Sequence, residues 1–202
     1  MRIEFTAEDR RKLLERVPEF APAVSGLELP HLNVGGDLFY ALCQSIVSQQ
    51  LAVRAAEAIF ARFKELLGKV TPRKLLAADM EKLRACGLSA RKVEYLRGAA
   101  EAAVSGKIDF SRLAEAPDAE VVAALTTLKG VGVWTAEMLL IFALGRRDVL
   151  STGDLGIRRG LEIVFGREGF SEAEHQELRH RVSPYGTLAA LYLWRIKDAA
   201  KK

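Results

Sequence analysis

Helix starts and stops recur along almost the whole chain, and this punctuation limits the fold more than any other feature. Thr6 can cap a first helix running through Val17. LFYALCQSIV sets Leu38, Leu42 and Ile46 on one apolar face, and AVRAAEAIFARFKELLG is alanine-rich and stops at Gly68. Thr71 with Pro72 is a cap followed by proline at the first helical position, and Ser89 can cap ARKVEYLRGAAEAAV after a break at Gly87. Pro117 and Asp118 open EVVAALTTL, and the helix after it stops near Gly145. LGIRRGLEIVF resumes helix after STGD, SEAE from Ser171 is a capping-box pattern, and Ser183 with Pro184 starts GTLAALYLWRIKDAA. No stretch alternates with period two between hairpin turns. The fold is read as all-α, a bundle of short helices without repeats or low-complexity linkers.

The chain has 202 residues, half of them hydrophobic (50%) and 28% charged, which is ordinary globular composition. No apolar run reaches the roughly 18 to 20 residues that span a bilayer, and MRIEFTAEDRRKLLERV lacks an apolar leader segment. A cytoplasmic protein without a membrane partner is expected. Cys43 and Cys86 form no CxxC pattern and read as reduced core thiols, and His31, His175 and His180 lack the i,i+4 spacing of a helical metal site. No side-chain metal site is expected. A net charge of +4 is compatible with a polyanionic partner without requiring one.

LKGVGVWTAEMLLIFALG, Leu128 to Gly145, places two glycines around Val131 between two helical patterns. Glycines there suit a tight turn with positive φ and a close approach of backbone to a ligand, although a bare GxG also makes an ordinary helix-to-helix turn. The flanking pattern is more demanding: Leu128 before the turn, Val131 at its apex, then Thr135 and Ala136 opening an apolar helix. It resembles the helix-hairpin-helix motif, which aims backbone N–H groups and a helix N-terminus at phosphate without a strong basic patch. Lys129 adds a plausible phosphate contact. In that motif the hairpin carbonyls, here near Leu128 and Val131, often hold a Na+ or K+ ion.

Downstream, DVLSTGDLGIRRGL sets Asp154 at a loop–helix junction, where an aspartate caps well whatever else it does. The hairpin and GDLGIRRGL together resemble the helix-hairpin-helix (HhH-GPD) DNA glycosylase superfamily, in which an aspartate at this offset is the catalytic carboxylate. SIVSQQLAVRAAEAIFARF, GLSARKVEYLRGAA and SPYGTLAALYLWRI resemble segments of its 3-methyladenine DNA glycosylase II branch, so the likeness runs from about Phe39 to Lys197. It implies one catalytic unit of two helical lobes with the active-site cleft between them: a six-helix lobe over 35–147, ending in the hairpin motif 128–145, and a second lobe from 1–34 plus 148–202. The chain matches the compact form without an N-terminal β-domain. Bifunctional members carry a nucleophilic lysine two residues after the second hairpin glycine; here that residue is Trp134, so no lyase activity is expected. Four C-terminal cysteines that hold an iron–sulfur cluster in other members have no counterpart after Cys86.

The resemblance implies a mechanism. An N3- or N7-alkylated purine is already cationic and leaves readily, so one carboxylate suffices: Asp154 would stabilise the oxocarbenium-like sugar and orient the attacking water. The base must first leave the stack, at a cost of a few kcal/mol. In the family a side chain of the segment matching SQQLA fills the gap; Gln50 is the closest match, with Gln49 and Leu51 beside it, although these glutamines also suit a polar helix end. Trp134 and Trp194 match positions lining the base pocket, where electron-rich rings favour a cationic base by roughly 0.5 to 2 kcal/mol, and each would also serve as core packing. Met138 stands where relatives have a tyrosine, and Tyr192 and Tyr185 could edge the pocket. Arg158 and Arg159 either meet phosphates or solvate a helix. Phe39, Tyr40, Tyr95 and Tyr192 itself are most simply core.

The resulting expectation is a monomeric, monofunctional glycosylase that acts on double-stranded DNA with alkylated bases, without a cofactor apart from the hairpin cation. Excision of deaminated or oxidised bases, or a helix-hairpin-helix module that only grips DNA, are the competing readings. A module of that kind needs neither Asp154 nor the two tryptophans.

Overall fold

The computed structural model describes residues 2–35 and 37–200. In chain order their elements are β1 (Arg2–Glu4), α1 (Ala7–Arg16), α2 (Phe20–Val24), β2 (His31–Asn33), α3 (Leu38–Ser48), α4 (Val53–Leu67), α5 (Pro72–Ala77), α6 (Met80–Ala85), α7 (Ala90–Val104), α8 (Phe110–Glu115), α9 (Asp118–Leu125), α10 (Val133–Phe142), α11 (Leu155–Phe165), α12 (Glu172–Val182) and α13 (Gly186–Ala199). The all-helical expectation therefore needs one addition, an antiparallel ribbon pairing Ile3 with Leu32. Its strands are three residues long, too short for a period-two pattern to show.

Capping chemistry sets most helix starts. The Thr6 hydroxyl accepts from the Asp9 N–H (3.1 Å) while the Asp9 carboxylate accepts from the Thr6 N–H (2.8 Å), a reciprocal box that Ser171 and Glu174 repeat at α12. Thr71 and Ser89 cap α5 and α7 as expected, and Asp37, Asp79 and Asp109 cap α3, α6 and α8 by the same chemistry. The exception is α13. Ser183 closes α12 instead of opening α13, and the start of α13 is held by Asp148, which accepts from the Gly186 N–H (3.0 Å) and the Ser183 hydroxyl (2.6 Å). A cap supplied from so far along the chain leaves no local signature.

The chain divides into two compact units, one spanning 36–139 and the other combining 1–35 with 140–202. From sequence the second boundary is expected at 147; in the structure it falls between Leu139 and Leu140, inside α10. VWTAEMLLIF is apolar around most of its circumference, so nothing in its pattern marks where one unit ends. The middle unit holds seven whole helices, α3 to α9, rather than six, plus the start of α10. Its core is built from Leu42, Ile46, Phe63, Leu75, Leu83, Val93, Leu96 and Leu125, all fully buried. Each such burial contributes roughly 1.5 to 3 kcal/mol. Cys43 and Cys86 lie in the same core as free thiols, and burial raises the pKa of both.

In the other unit Leu13, Val17, Phe20 and Val24 pack with Ile157, Leu161, Val182, Leu188 and Leu193. Gly160 lets α11 approach α13, since a Cβ there would sit 2.5 Å from the Leu193 carbonyl oxygen. Among the described residues no helix is long and apolar enough to cross a membrane.

Candidate active site

Asp154 is both a helix cap and the acceptor of a bond that capping does not require. Its Oδ1 accepts from the Ile157 N–H at 2.8 Å, opening α11, and from the indole Nε1 of Trp194 on α13, also at 2.8 Å. Gly156 makes room for the indole: a Cβ there would meet Trp194 Cδ1 at 2.8 Å and Asp154 Oδ1 at 3.0 Å. Phe142 stacks on Trp194 with centroids 5.7 Å apart and 26° between planes, leaving a partly exposed aromatic face beside the carboxylate.

The loop before Asp154 is held from two helices. Arg179 of α12 donates to the Leu150 carbonyl (3.2 Å) and to the Thr152 hydroxyl (2.7 Å). The Thr187 hydroxyl of α13 accepts from the Val149 N–H (3.1 Å) and donates to the Arg146 carbonyl (2.7 Å). Ser151 and Thr152 are buried, so the approach to Asp154 is interior structure and not a free loop.

For Tyr192 the structure corrects the pocket reading and favours the core one. Its ring is 0% exposed, and a side chain with no open face offers none to a base. Its hydroxyl lacks a hydrogen-bond partner, the Arg10 guanidinium lying 5.8 Å from the ring centroid, and burial raises its pKa. Met138 is partly buried on α10, Tyr185 precedes α13, and Arg158 is exposed one turn beyond Asp154. Arg159 pairs with Glu162 at 2.8 Å.

In the hairpin between α9 and α10 only the first glycine is conformationally demanded. Gly130 has φ +82°, and a Cβ would strike the Tyr95 ring at 2.1 Å. Gly132 lies outside the left-handed region; its carbonyl accepts from the Ala136 N–H (3.1 Å) to open α10, and the space around it is clear for at least 4 Å. The side chains of Leu128 and Val131 are buried, and Thr135 is only 5% exposed, so its side chain is not the surface contact expected of it. Apart from the Lys129 side chain, what the hairpin presents is the main chain of its glycines. Lys129 pairs with Glu94 at 2.6 Å, with both side chains largely in solvent.

The segment expected from sequence to carry Gln50 as a wedge, with Gln49 and Leu51 beside it, forms the turn after α3. Gln50 has φ +57°, the one non-glycine residue with positive φ among those described, and its side chain is exposed, as is that of Leu51. Gln49 differs: its amide donates to the Gly130 carbonyl at 2.9 Å, tying the turn to the hairpin. A groove of about 930 Å³ runs along this turn, the start of α7 and the start of α10, where Trp134 is 46% exposed.

The model of a family described as HhH-GPD superfamily base excision DNA repair protein matches residues 43–184, which contain the turn after α3, the hairpin and Asp154. The chain belongs to this superfamily. DNA-3-methyladenine glycosylase 1 of Schizosaccharomyces pombe is 41% identical over 165 residues, covering 79% of this chain and 72% of the relative. The crystal structure of a DNA-3-methyladenine glycosidase from Bacillus halodurans superposes with TM-score 0.89 at 34% identity, over 100% of this chain and 94% of that one. A Schizosaccharomyces pombe 3-methyladenine DNA glycosylase in complex with abasic DNA superposes with TM-score 0.79, also at 34% identity, over 94% and 96% of the two chains. Trp194 lies beyond the matched family segment, yet it is the side chain bonded to Asp154. From sequence, Phe142, Gly156 and Arg179 are missed and Tyr95 reads only as core; of these only Gly156, two residues after the aspartate in GDLGIRRGL, leaves a readable trace.

Proposed function

We propose that this protein is a monofunctional DNA glycosylase of the 3-methyladenine II type, hydrolysing the N-glycosidic bond of alkylated purines in duplex DNA and leaving an abasic site. The observation that carries the reading is the Asp154 carboxylate, held through one oxygen by the Ile157 N–H and the Trp194 indole. Fixed in this way it faces the reaction already oriented, and preorganisation is what makes a charge effective against a developing cation. The leaving base carries its own positive charge and needs no general acid. The Phe142–Trp194 pair offers that cation an aromatic face.

Trp134 stands where an amine nucleophile would be needed for strand cleavage, so water is the nucleophile and no Schiff base forms. The hairpin contributes main-chain N–H groups and the N-terminus of α10 to a DNA phosphate. A monovalent cation would rest on its carbonyls: that of Leu128 accepts one hydrogen bond, from the Val131 N–H (3.1 Å), and a carbonyl has two lone pairs. Such an ion would add positive charge toward the phosphate.

Single-turnover excision from duplexes bearing N7-methylguanine, N3-methyladenine, hypoxanthine or uracil tests the reading. Wild type should release the alkylated purines, and Asp154→Asn should be slower by about 100-fold or more while still binding DNA. Release of uracil or hypoxanthine alone would overturn the substrate class, and a borohydride-trapped covalent adduct would overturn the monofunctional assignment.

A further inference from the structure

Lys92, in the first turn of α7, takes no part in the chemistry above, yet its ammonium makes two short bonds. Nζ donates to the carbonyl of Val47 at 2.6 Å and to that of Gln49 at 2.7 Å. These carbonyls lie at the C-terminal end of α3, where main-chain acceptors lose their intrahelical donors and the helix dipole favours a cation. Partial burial of the amine lowers its pKa. The next residue in the chain is Gln50, held at φ +57°. A left-handed conformation is unfavourable for a non-glycine residue and persists only when its surroundings impose it.

The same helix reaches the other DNA-facing element. The Tyr95 ring, one turn beyond Lys92, lies against Gly130, and the Gly130 carbonyl accepts from the Gln49 amide at 2.9 Å. The wedge turn is thus fixed to α7 through Lys92 and to the hairpin through Gln49, all within one compact unit.

We propose that Lys92 is a positioning residue for base extraction, which holds Gln50 in its left-handed conformation so that the exposed side chain enters the duplex as one rigid piece with the hairpin. The proposal rests on the glycosylase reading. Its consequence is selective: Lys92 matters where a paired base must be pulled from the stack and matters little where the base is already unpaired.

The test compares single-turnover excision of N7-methylguanine opposite cytosine with excision of the same lesion opposite an abasic analogue, using the full chain. Lys92→Met should slow the paired substrate roughly tenfold and the unpaired one much less, reproducing the pattern of Gln50→Ala. Lys92→Arg, which can still donate to both carbonyls, should recover most of the loss. In the double variant the two effects should not add, because both act on one step. If Lys92→Met fails to fold by circular dichroism, Gln49→Ala, which cuts only the tie to the hairpin, should show the same paired-substrate selectivity. Equal slowing of both substrates, or of neither, would overturn the proposal. If wild type excises neither, the glycosylase reading fails, while fluorescence of 2-aminopurine opposite the lesion still reports opening. Opening by wild type and its loss in Lys92→Met would then uphold the positioning role, and equal opening by both would end it.

Discussion

At the scale of single residues the candidate site is concentrated in Asp154, Gly156 and Trp194. The carboxylate is fixed because the indole comes within 2.8 Å, and the indole comes that close because Gly156 has no side chain. Two substitutions separate these contributions. Trp194→Phe keeps a ring for stacking on Phe142 but removes the donor; a hydrogen bond to a charged group is worth about 1.5 to 3 kcal/mol, so excision should slow by roughly 10-fold or more with DNA affinity little changed. Gly156→Ala should produce a similar loss by displacing the indole, measured as a fall in single-turnover rate at saturating enzyme. Asp154 itself was legible from its motif. Its partner was not, because the bond joins residues 40 apart in sequence and no local pattern links them.

At the scale of elements, close helix approach decides what caps and periodicity do not. The amphipathic pattern of LGIRRGLEIVF announces a helix, and Gly160 within it reads as a mild defect in helix propensity. In the fold it is the contact point of α11 with the Leu193 backbone. Gly160→Ala improves local propensity and should nevertheless destabilise the protein by about 1 to 3 kcal/mol, seen as a lower midpoint in urea, because the neighbour at 2.5 Å is main chain and cannot rotate away. Asp154 begins α11 and Trp194 follows Leu193 on α13, so excision should fall together with stability. In the hairpin the lesson runs the other way. Both glycines looked alike in the sequence, but only Gly130 meets a neighbour that excludes a side chain.

At the scale of the whole molecule, stability should depend on pH through His175. Its imidazole is buried, stacks on Phe170 with centroids 5.8 Å apart, and leaves Nε2 without a hydrogen bond. Burial holds its pKa below the usual histidine value, the Arg158 and Arg179 charges add to that lowering, and Glu172 and Glu174 oppose it. The unfolded chain, with a histidine pKa near 6.5, therefore takes up the proton more readily than the native state does. The associated stability is present above about pH 6.5 and is lost as the pH falls through the lower native value. Melting temperature should drop between pH 7 and 5, and His175→Phe should flatten that slope. The Asp9 carboxylate acts at lower pH: burial pushes its pKa up, but Thr6 and Arg147 draw it below the ordinary value, so its contribution fades only under more acid conditions.

Most helix starts, the hairpin and the place of Asp154 at the start of α11 could be read from the sequence, because capping, apolar periodicity and a glycine-flanked turn are short-range signals carried by adjacent residues. The division of the chain inside α10, the burial of Tyr192, the diversion of Gln49 to the hairpin and the bonds from Trp194 and Lys92 could not. Each depends on which distant segment fills the space beside a residue. Sequence periodicity determines that a face is apolar or a helix begins, but only the packed structure determines which atoms arrive within hydrogen-bonding distance.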